Sequence, residues 1–248
     1  MSGGAVLVLG GTTEAHALAE RLAEAQIPAI VSLAGKVKAD YPPPLRQGGF
    51  GGVEGLAEYL QAENIAALID ATHPFAAQMP HNAAQAALAK NTPFAMLKRP
   101  EWSPYPGQNW QSVPDLATAL AQLPAQAHAF LALGASALPA TKLRPDCRFT
   151  LRAMTALDGP LPPHVSYCQS RPGSEAEEGI FLRKQGFTHL IAKNSGGPSR
   201  GKIDAAQKLG LPITMISRPP LPKGPIFQRV EDILAWLAPH LSATKGRA

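Results

Sequence analysis

The chain lacks the residues that would mark a secreted, metal-holding or membrane-bound protein. It has two cysteines, Cys147 and Cys168, in 248 residues. They offer neither a disulfide framework nor a metal-ligand spacing, so a reducing compartment fits. No apolar run approaches the roughly 20 residues that span a bilayer. Met1 to Gly4 carry neither the basic segment nor the apolar stretch of a secretory leader and run straight into a strand pattern. A cytoplasmic protein without a membrane partner is the expectation. His16, His81, His128, His164, His189 and His240 show no ligand spacing. No Ser/His/Asp context, metal cluster or carboxylate pair stands out, and no bound metal is expected.

A long run of one charge is missing as well. The net charge is +5, and Lys245 and Arg247, in the last four residues, supply two of those charges. No nucleic-acid reader motif accompanies this mild excess, which argues against nucleic acid as a partner. A moderately basic surface suits a small polyanionic substrate. Proline is abundant: 25 residues, about twice the usual share. The clusters at Pro42–Pro44, Pro160–Pro163 and Pro219–Pro225 lie between strong strand patterns and mark stiff loops. The length and a hydrophobic share of 45% allow one large domain or two small ones.

Hydrophobic periodicity favours two. Val6–Leu9, Ala29–Leu33, Ala66–Ile69 and Phe94–Leu97 read as strands. Glu14–Gln26, Val53–Glu63 and Ala76–Lys90 read as helices between them. Arg99 to Gln111, with Trp102, Tyr105 and Trp110, reads as a connection. Beyond it come strands at Ala129–Leu133, Arg148–Met154, Val165–Gln169, His189–Ala192 and Ile213–Ser217. Helices follow at Glu175–Gln185, Lys202–Leu209 and Val230–Leu241. The fold class expected is α/β: two Rossmann-like domains, residues 1–100 and 101–248, with mainly parallel sheets and a cleft between them.

Three polar loops follow apolar strands, where an open α/β sheet receives its ligand. In the first, Gly10-Gly11-Thr12-Thr13-Glu14-Ala15, glycines admit a pyrophosphate, Thr12 or Thr13 caps the helix, and the helix N-terminus favours an anion. It departs from G-x-G-x-x-G, with Thr12 at the third position, and a plain Thr-capped turn is the alternative. An NAD-selective site usually carries a carboxylate at the end of the second strand. Ser32-Leu33-Ala34-Gly35-Lys36-Val37-Lys38 has none before Asp40. Ser32 and Lys36 suit a 2′-phosphate instead, which predicts NADPH over NADH, although Lys36 also fits a solvated loop.

Gly48-Gly49-Phe50-Gly51-Gly52 implies tight backbone geometry, with Phe50 available to pack on a cofactor ring. In the second loop, Asp70-Ala71-Thr72-His73-Pro74-Phe75, Pro74 holds His73 extended, and Asp70 could orient His73 or cap the next turn. His73 is a weak acid–base candidate and, with Thr72 and Pro74, a cofactor or substrate contact. The third loop, Lys193-Asn194-Ser195-Gly196-Gly197, resembles an anion-binding turn, and Arg171 and Arg218 are further cations at strand ends.

Together these motifs resemble the precorrin-6A reductase family of cobalamin biosynthesis. The match runs through Leu9 to Ala15, Ser32 to Lys36, Gly48 to Gly52, Asp70 to Gln78, Lys193 to Gly197 and Arg218-Pro219-Pro220. It is in order over nearly the whole chain. Lys36 stands where the family often has Arg, and Ser170-Arg171-Pro172-Gly173 where it often has Arg-Gly-Pro-Phe. The resemblance implies two Rossmann-like domains and hydride transfer from a reduced nicotinamide cofactor to a C=C–C=N system of precorrin-6A, giving precorrin-6B. It implies a cofactor site at Gly10, Gly11, Thr12, Thr13, Glu14, Ser32, Gly35, Lys36, Gly49, Phe50, Thr72, His73 and Pro74. Substrate carboxylates would meet Arg171, Lys193, Asn194, Ser195, Gly196 and Arg218. Alternatives are a cobalt-precorrin-6A reductase, another NADP-dependent reductase, or an NADPH-binding regulator without turnover. A monomer is compatible with the sequence, which leaves the oligomeric state open.

Overall fold

A computed structural model describes residues 4–35, 40–154, 156–157 and 159–245. The chain divides into two compact units, Met1–Pro100 with Pro219–Ala248, and Glu101–Arg218. Each unit is built on a six-stranded sheet. Every neighbouring strand pair is parallel.

In the first unit the strands are β1 (Ala5–Leu9), β2 (Ala29–Leu33), β3 (Leu45–Gln47), β4 (Ile65–Asp70) and β5 (Phe94–Leu97). The helices are α1 (Thr13–Glu24), α2 (Val53–Ala62) and α3 (Gln78–Ala89). The second unit contributes β6 (Gln111–Val113), α4 (Leu116–Ala121), β7 (His128–Ala132), β8 (Arg148–Ala153), β9 (Val165–Gln169), α5 (Glu175–Gln185), β10 (His189–Lys193), α6 (Gly201–Lys208) and β11 (Ile213–Ile216). The chain then re-enters the first unit with β12 (Ile226–Phe227) and α7 (Val230–Lys245).

The first sheet runs β12-β5-β4-β1-β2-β3 and the second β6-β11-β10-β7-β8-β9. Both therefore reverse direction of growth beside their first long strand, between β1 and β4 and between β7 and β10. Such switch points are where doubly wound sheets place ligands. Strand composition explains the burial. Val6 to Leu9 and Ala67 to Ile69 are covered on both faces, as apolar runs without alternation require. Val6, Val8 and Val31 face α1, whereas Leu7, Leu9 and Leu68 face α2 and α3.

The domain assignment of residues 219–248 needs correction. The second segment ends at Arg218, and the last helix belongs to the first unit. Ile233 and Leu237 of α7 are fully buried in the cluster formed by α1 and the first sheet. Phe227 of β12 pairs with Leu97. An amphipathic helix read from sequence shows a face to bury, not which sheet receives it. Three elements had no periodic signature: β3 and β6, each three residues long, and the 3-10 helix Ala135–Leu143, which contains Pro139.

Candidate functional site

At the switch point of the first unit, the two glycines of the turn after β1 do different work. A Cβ on Gly10 would sit 3.0 Å from Val31 Cγ1 and 3.2 Å from Leu33 Cδ2. Gly10 is thus required for close packing of the turn on β2. Gly11 has φ +108° and is exposed, and a Cβ there would meet only Leu33, at 4.0 Å. Its backbone is the part open to a ligand.

Thr12 then caps α1, its Oγ1 accepting from the Ala15 N–H at 3.1 Å. The same hydroxyl donates to Ala71 O at 2.8 Å, tying the turn to the loop after β4. The first amides of α1 have no intrahelical acceptor and carry the positive end of the helix dipole. A cavity of about 540 Å³ opens here, lined by this turn, by Leu33 to Gly35 at the end of β2, and by His16, Glu20 and Tyr41. His16, which sequence spacing left without a role, packs edge-on to Tyr41 at 5.0 Å and lies 3.5 Å from Glu20.

The loop after β4 is fixed from below by a buried ion pair that the sequence reading did not find. Asp70 and Lys98 approach to 2.8 Å with side-chain exposures of 0% and 4%. Asp70 Oδ1 accepts from the Thr72 N–H at 3.0 Å and the Thr72 hydroxyl at 2.6 Å. Lys98 Nζ donates to Thr72 O at 3.0 Å. Asp70 therefore caps the turn and engages Lys98; it does not orient His73. His73 is exposed, and its Nδ1 accepts from the Phe75 N–H at 3.2 Å. In the neutral ring this places the proton on Nε2. Pro74 is buried beneath it.

Glu14, placed by sequence among the cofactor contacts, accepts from Arg99 Nη1 at 3.2 Å and from Thr13 Oγ1 at 3.2 Å. Lys98 and Arg99 directly follow β5, so the available signal was a basic pair at a strand end. Ser32 is buried and accepts from Arg46 Nη1 at 3.2 Å. Phe50 lies against Arg46, 3.7 Å from ring centroid to guanidinium carbon, and edge-on to Tyr59 at 5.2 Å; it is not among the residues lining the cavity. Gly35 lines the cavity. Gly49 has open space where a Cβ would go. Lys36 lies outside the described residues.

The third loop has a different character. Asn194 is buried, and its side chain copies a strand partner for Trp102: Oδ1 accepts from the Trp102 N–H at 2.9 Å, and Nδ2 donates to Trp102 O at 3.1 Å and to Glu101 Oε2 at 3.0 Å. Trp102 Nε1 donates to Gly197 O at 2.8 Å. Arg218 donates from Nε to Asn194 O at 2.9 Å and from Nη2 to Ser195 O at 3.1 Å. Asn194 and Arg218 thus shape the loop. Gly196 and Gly197 complete it with φ of +68° and +77°.

Lys193, half-buried at the end of β10, has its pKa lowered by burial. Ser195 N–H donates to Lys193 O at 2.8 Å. Arg171 is exposed beyond β9. The segment sequence reading treated as a connection is in part a wall of this unit. Arg200 donates to Ser103 O at 2.9 Å and to Gln108 Oε1 at 2.6 Å, and stacks over Tyr105 at 4.0 Å.

Nearby lies a cluster of charge with almost no water access. Arg152 Nη1 donates to Glu178 Oε1 at 2.6 Å, with side-chain exposures of 8% and 1%. Glu178 Oε1 also accepts from the Gly173 N–H at 2.7 Å. Lys202 is buried beside them, donates to Ser199 O at 2.7 Å, and has its pKa lowered to about 8, chiefly by desolvation. Among the described residues there is no group of three or more His, Cys, Asp or Glu placed to hold a metal. No helix there is long and apolar enough to cross a membrane.

Two parallel doubly wound units, the first with an open glycine turn running into a capped helix, define a dinucleotide-binding α/β protein. The comparisons narrow that class. Residues 5–238 match the family described as precorrin-6x reductase CbiJ/CobK. A precorrin-6A reductase from Rhodococcus erythropolis is 43% identical over 241 residues, covering 94% of this chain and 96% of its own. One from Rhodobacter capsulatus is 42% identical, covering 97% and 98%. The solved structure of a CobK precorrin-6A reductase superposes with a TM-score of 0.88 at 42% identity, covering 96% of this chain and 97% of its own. The chain belongs to the precorrin-6x reductase family and is a reductase of cobalamin biosynthesis. Such a reductase draws on a nicotinamide cofactor. The first unit fits one: Gly11 leaves open space where a side chain would intrude, and α1 presents its N-terminus there.

Proposed function

We propose that the chain reduces precorrin-6A to precorrin-6B with NADPH, the first unit holding the cofactor and the second most of the substrate. The observation that carries this reading is the open turn Gly10-Gly11-Thr12 at the β1/β4 switch point, in a chain similar over nearly its full length to precorrin-6A reductases. NADPH would supply a hydride to one carbon of a conjugated C=C–C=N system, and a proton must reach the same system.

The chain's own residues bind and orient. Gly11 and the first amides of α1 receive the pyrophosphate. Ser32 and Gly35, at the end of β2, border the adenosine ribose, where no described carboxylate stands on β2 to favour NADH. Thr72, His73 and Pro74 are held toward the site by the Asp70–Lys98 pair. His73 Nε2–H is a donor for cofactor or substrate; a substrate protonated at its imine nitrogen would need no protein acid. The acetate and propionate groups meet Lys193, Arg171 and the backbone donors of Ser195 and Gly196. Asn194 and Arg218 act one step back, by shaping that loop.

Anaerobic incubation of the purified protein with precorrin-6A and NADPH tests this, following cofactor absorbance and the macrocycle spectrum together. Coupled NADPH loss and a product two hydrogens heavier support the proposal. Turnover only with the cobalt-bearing macrocycle reassigns the substrate. Tight NADPH binding without turnover on either macrocycle leaves a nucleotide-binding regulator or a reductase of another substrate.

A further inference from the structure

Arg46 is a cation that neither the motifs nor the family resemblance singled out. It lies on the short strand β3, in register with Ser32 of β2. Register partners in a parallel sheet project to the same face. The guanidinium accordingly reaches the Ser32 hydroxyl, donating from Nη1 at 3.2 Å. It also donates to Gly48 O at 2.6 Å and Gly49 O at 2.8 Å. The Phe50 ring lies 3.7 Å beneath it, with Tyr59 at 5.1 Å. Stacking and two carbonyls lock a planar fork in one orientation.

The surroundings of this fork are open. Gly48, at φ +110°, and Gly49, Gly51 and Gly52 would each place a Cβ with nothing within 4 Å. These glycines are not there to pack against protein. The loop they form curls around the guanidinium, beside Leu33, Ala34 and Gly35, which border the cavity at the glycine turn. Five N–H groups exist on an arginine; the three carbonyl and hydroxyl acceptors leave Nε–H and part of Nη2 for another anion.

In a doubly wound sheet the end of the second strand is where the adenosine ribose is read, by a carboxylate for NAD or a cation for the 2′-phosphate of NADP. We infer that Arg46, prepositioned by Phe50 and bridged to the Ser32 hydroxyl, is a specificity-determining residue for the 2′-phosphate. The inference rests on the cofactor reading above. The Arg–Ser pair takes the phosphate oxygens in place of the ribose-binding carboxylate of an NAD enzyme.

Equilibrium titration of the full chain with NADPH, NADH, adenosine 2′,5′-bisphosphate and AMP tests it, on wild type, Arg46→Ala and Arg46→Lys. Arg46→Ala should weaken NADPH and the bisphosphate by about tenfold or more, with NADH and AMP changed by less than about twofold. Arg46→Lys should fall between, keeping the charge and losing the fork. Equal losses for NADPH and NADH would show that Arg46 only props the loop and would overturn the inference, as would unchanged NADPH binding. Unaltered NADH binding in the variants serves as the control for folding. Wild-type protein that prefers NADH would refute the cofactor reading itself, and this inference with it.

Discussion

The two units share a strand order and differ in what they place at the ligand end. In the first, β1 runs through a two-glycine turn into α1, a 12-residue helix capped by Thr12. In the second, β7 runs through Gly134 into a 3-10 helix that contains Pro139 and has no side-chain cap. A 3-10 helix holds its amides in poorer alignment, and the proline removes one of them. The N-terminus of α5 is filled by the protein's own carboxylates. Ser174 and Glu177 form a capping box, and Glu178 takes the Gly173 amide. Topology alone therefore does not make a nucleotide site; a regular helix with an uncovered N-terminus does. On this comparison the chain takes up one nicotinamide nucleotide, and calorimetric titration should saturate at one per chain. Two equivalent sites would break the contrast.

Each unit also buries an ion pair, and the largest effects are expected there. Lys98→Met leaves the Asp70 carboxylate buried without its cation, and Arg152→Met does the same to Glu178. Removing one partner of such a pair costs about 3–5 kcal/mol. Both variants should lower the urea midpoint strongly. They should differ in ligand response: at subdenaturing conditions Lys98→Met should weaken cofactor binding, because the Thr72 loop loses its anchor, whereas Arg152→Met should not. Equal cofactor affinity in the two would detach the Asp70–Lys98 pair from the site.

Lys202 sharpens the comparison through pH. Its folded-state pKa is about 8 against an ordinary 10.5. Between those values the unfolded chain binds more protons than the folded one, so this residue makes stability rise with pH across that window. Below about pH 8 the buried charge costs up to roughly 3 kcal/mol. Lys202→Met should raise the urea midpoint of the second unit at pH 7, and its advantage should shrink toward pH 10. A gap that does not change with pH would mean Lys202 is not charged against a desolvation cost at pH 7.

Much of this architecture could be read from the chain, for identifiable reasons. Strands such as Val6–Leu9 and His189–Ala192 are apolar runs bounded by polar, glycine-bearing loops, and their order defines a parallel sheet. The turn Gly10-Gly11-Thr12 is visible because its function depends on residue types next to each other in sequence. Lys98, Arg99, Arg46 and Trp102 were not visible in the same way. Lys98 matters because β5 lies beside β4, which brings it to Asp70; Arg46 matters because β3 pairs in register with β2. Both are facts of strand adjacency, which periodicity does not encode. Asn194 and Arg218 were recognised as special but given to the substrate, since a polar residue in a glycine loop looks alike whether it faces a ligand or the backbone of Trp102.

The smallest effect tests the tie between the two loops of the first unit. Thr12 Oγ1 accepts from Ala15 N–H and donates to Ala71 O. Thr12→Val keeps the shape and removes both bonds; loss of a helix cap costs about 1 kcal/mol. A midpoint shift of that order is expected in the first unit, together with a cofactor dissociation constant raised by about fivefold. Thr12→Ser keeps the hydroxyl and should restore both values. A Thr12→Val protein with the lowered midpoint and wild-type cofactor affinity would show that Thr12 is only a helix cap. The open backbone of Gly11 would then be what distinguishes the ligand end of the first unit from that of the second.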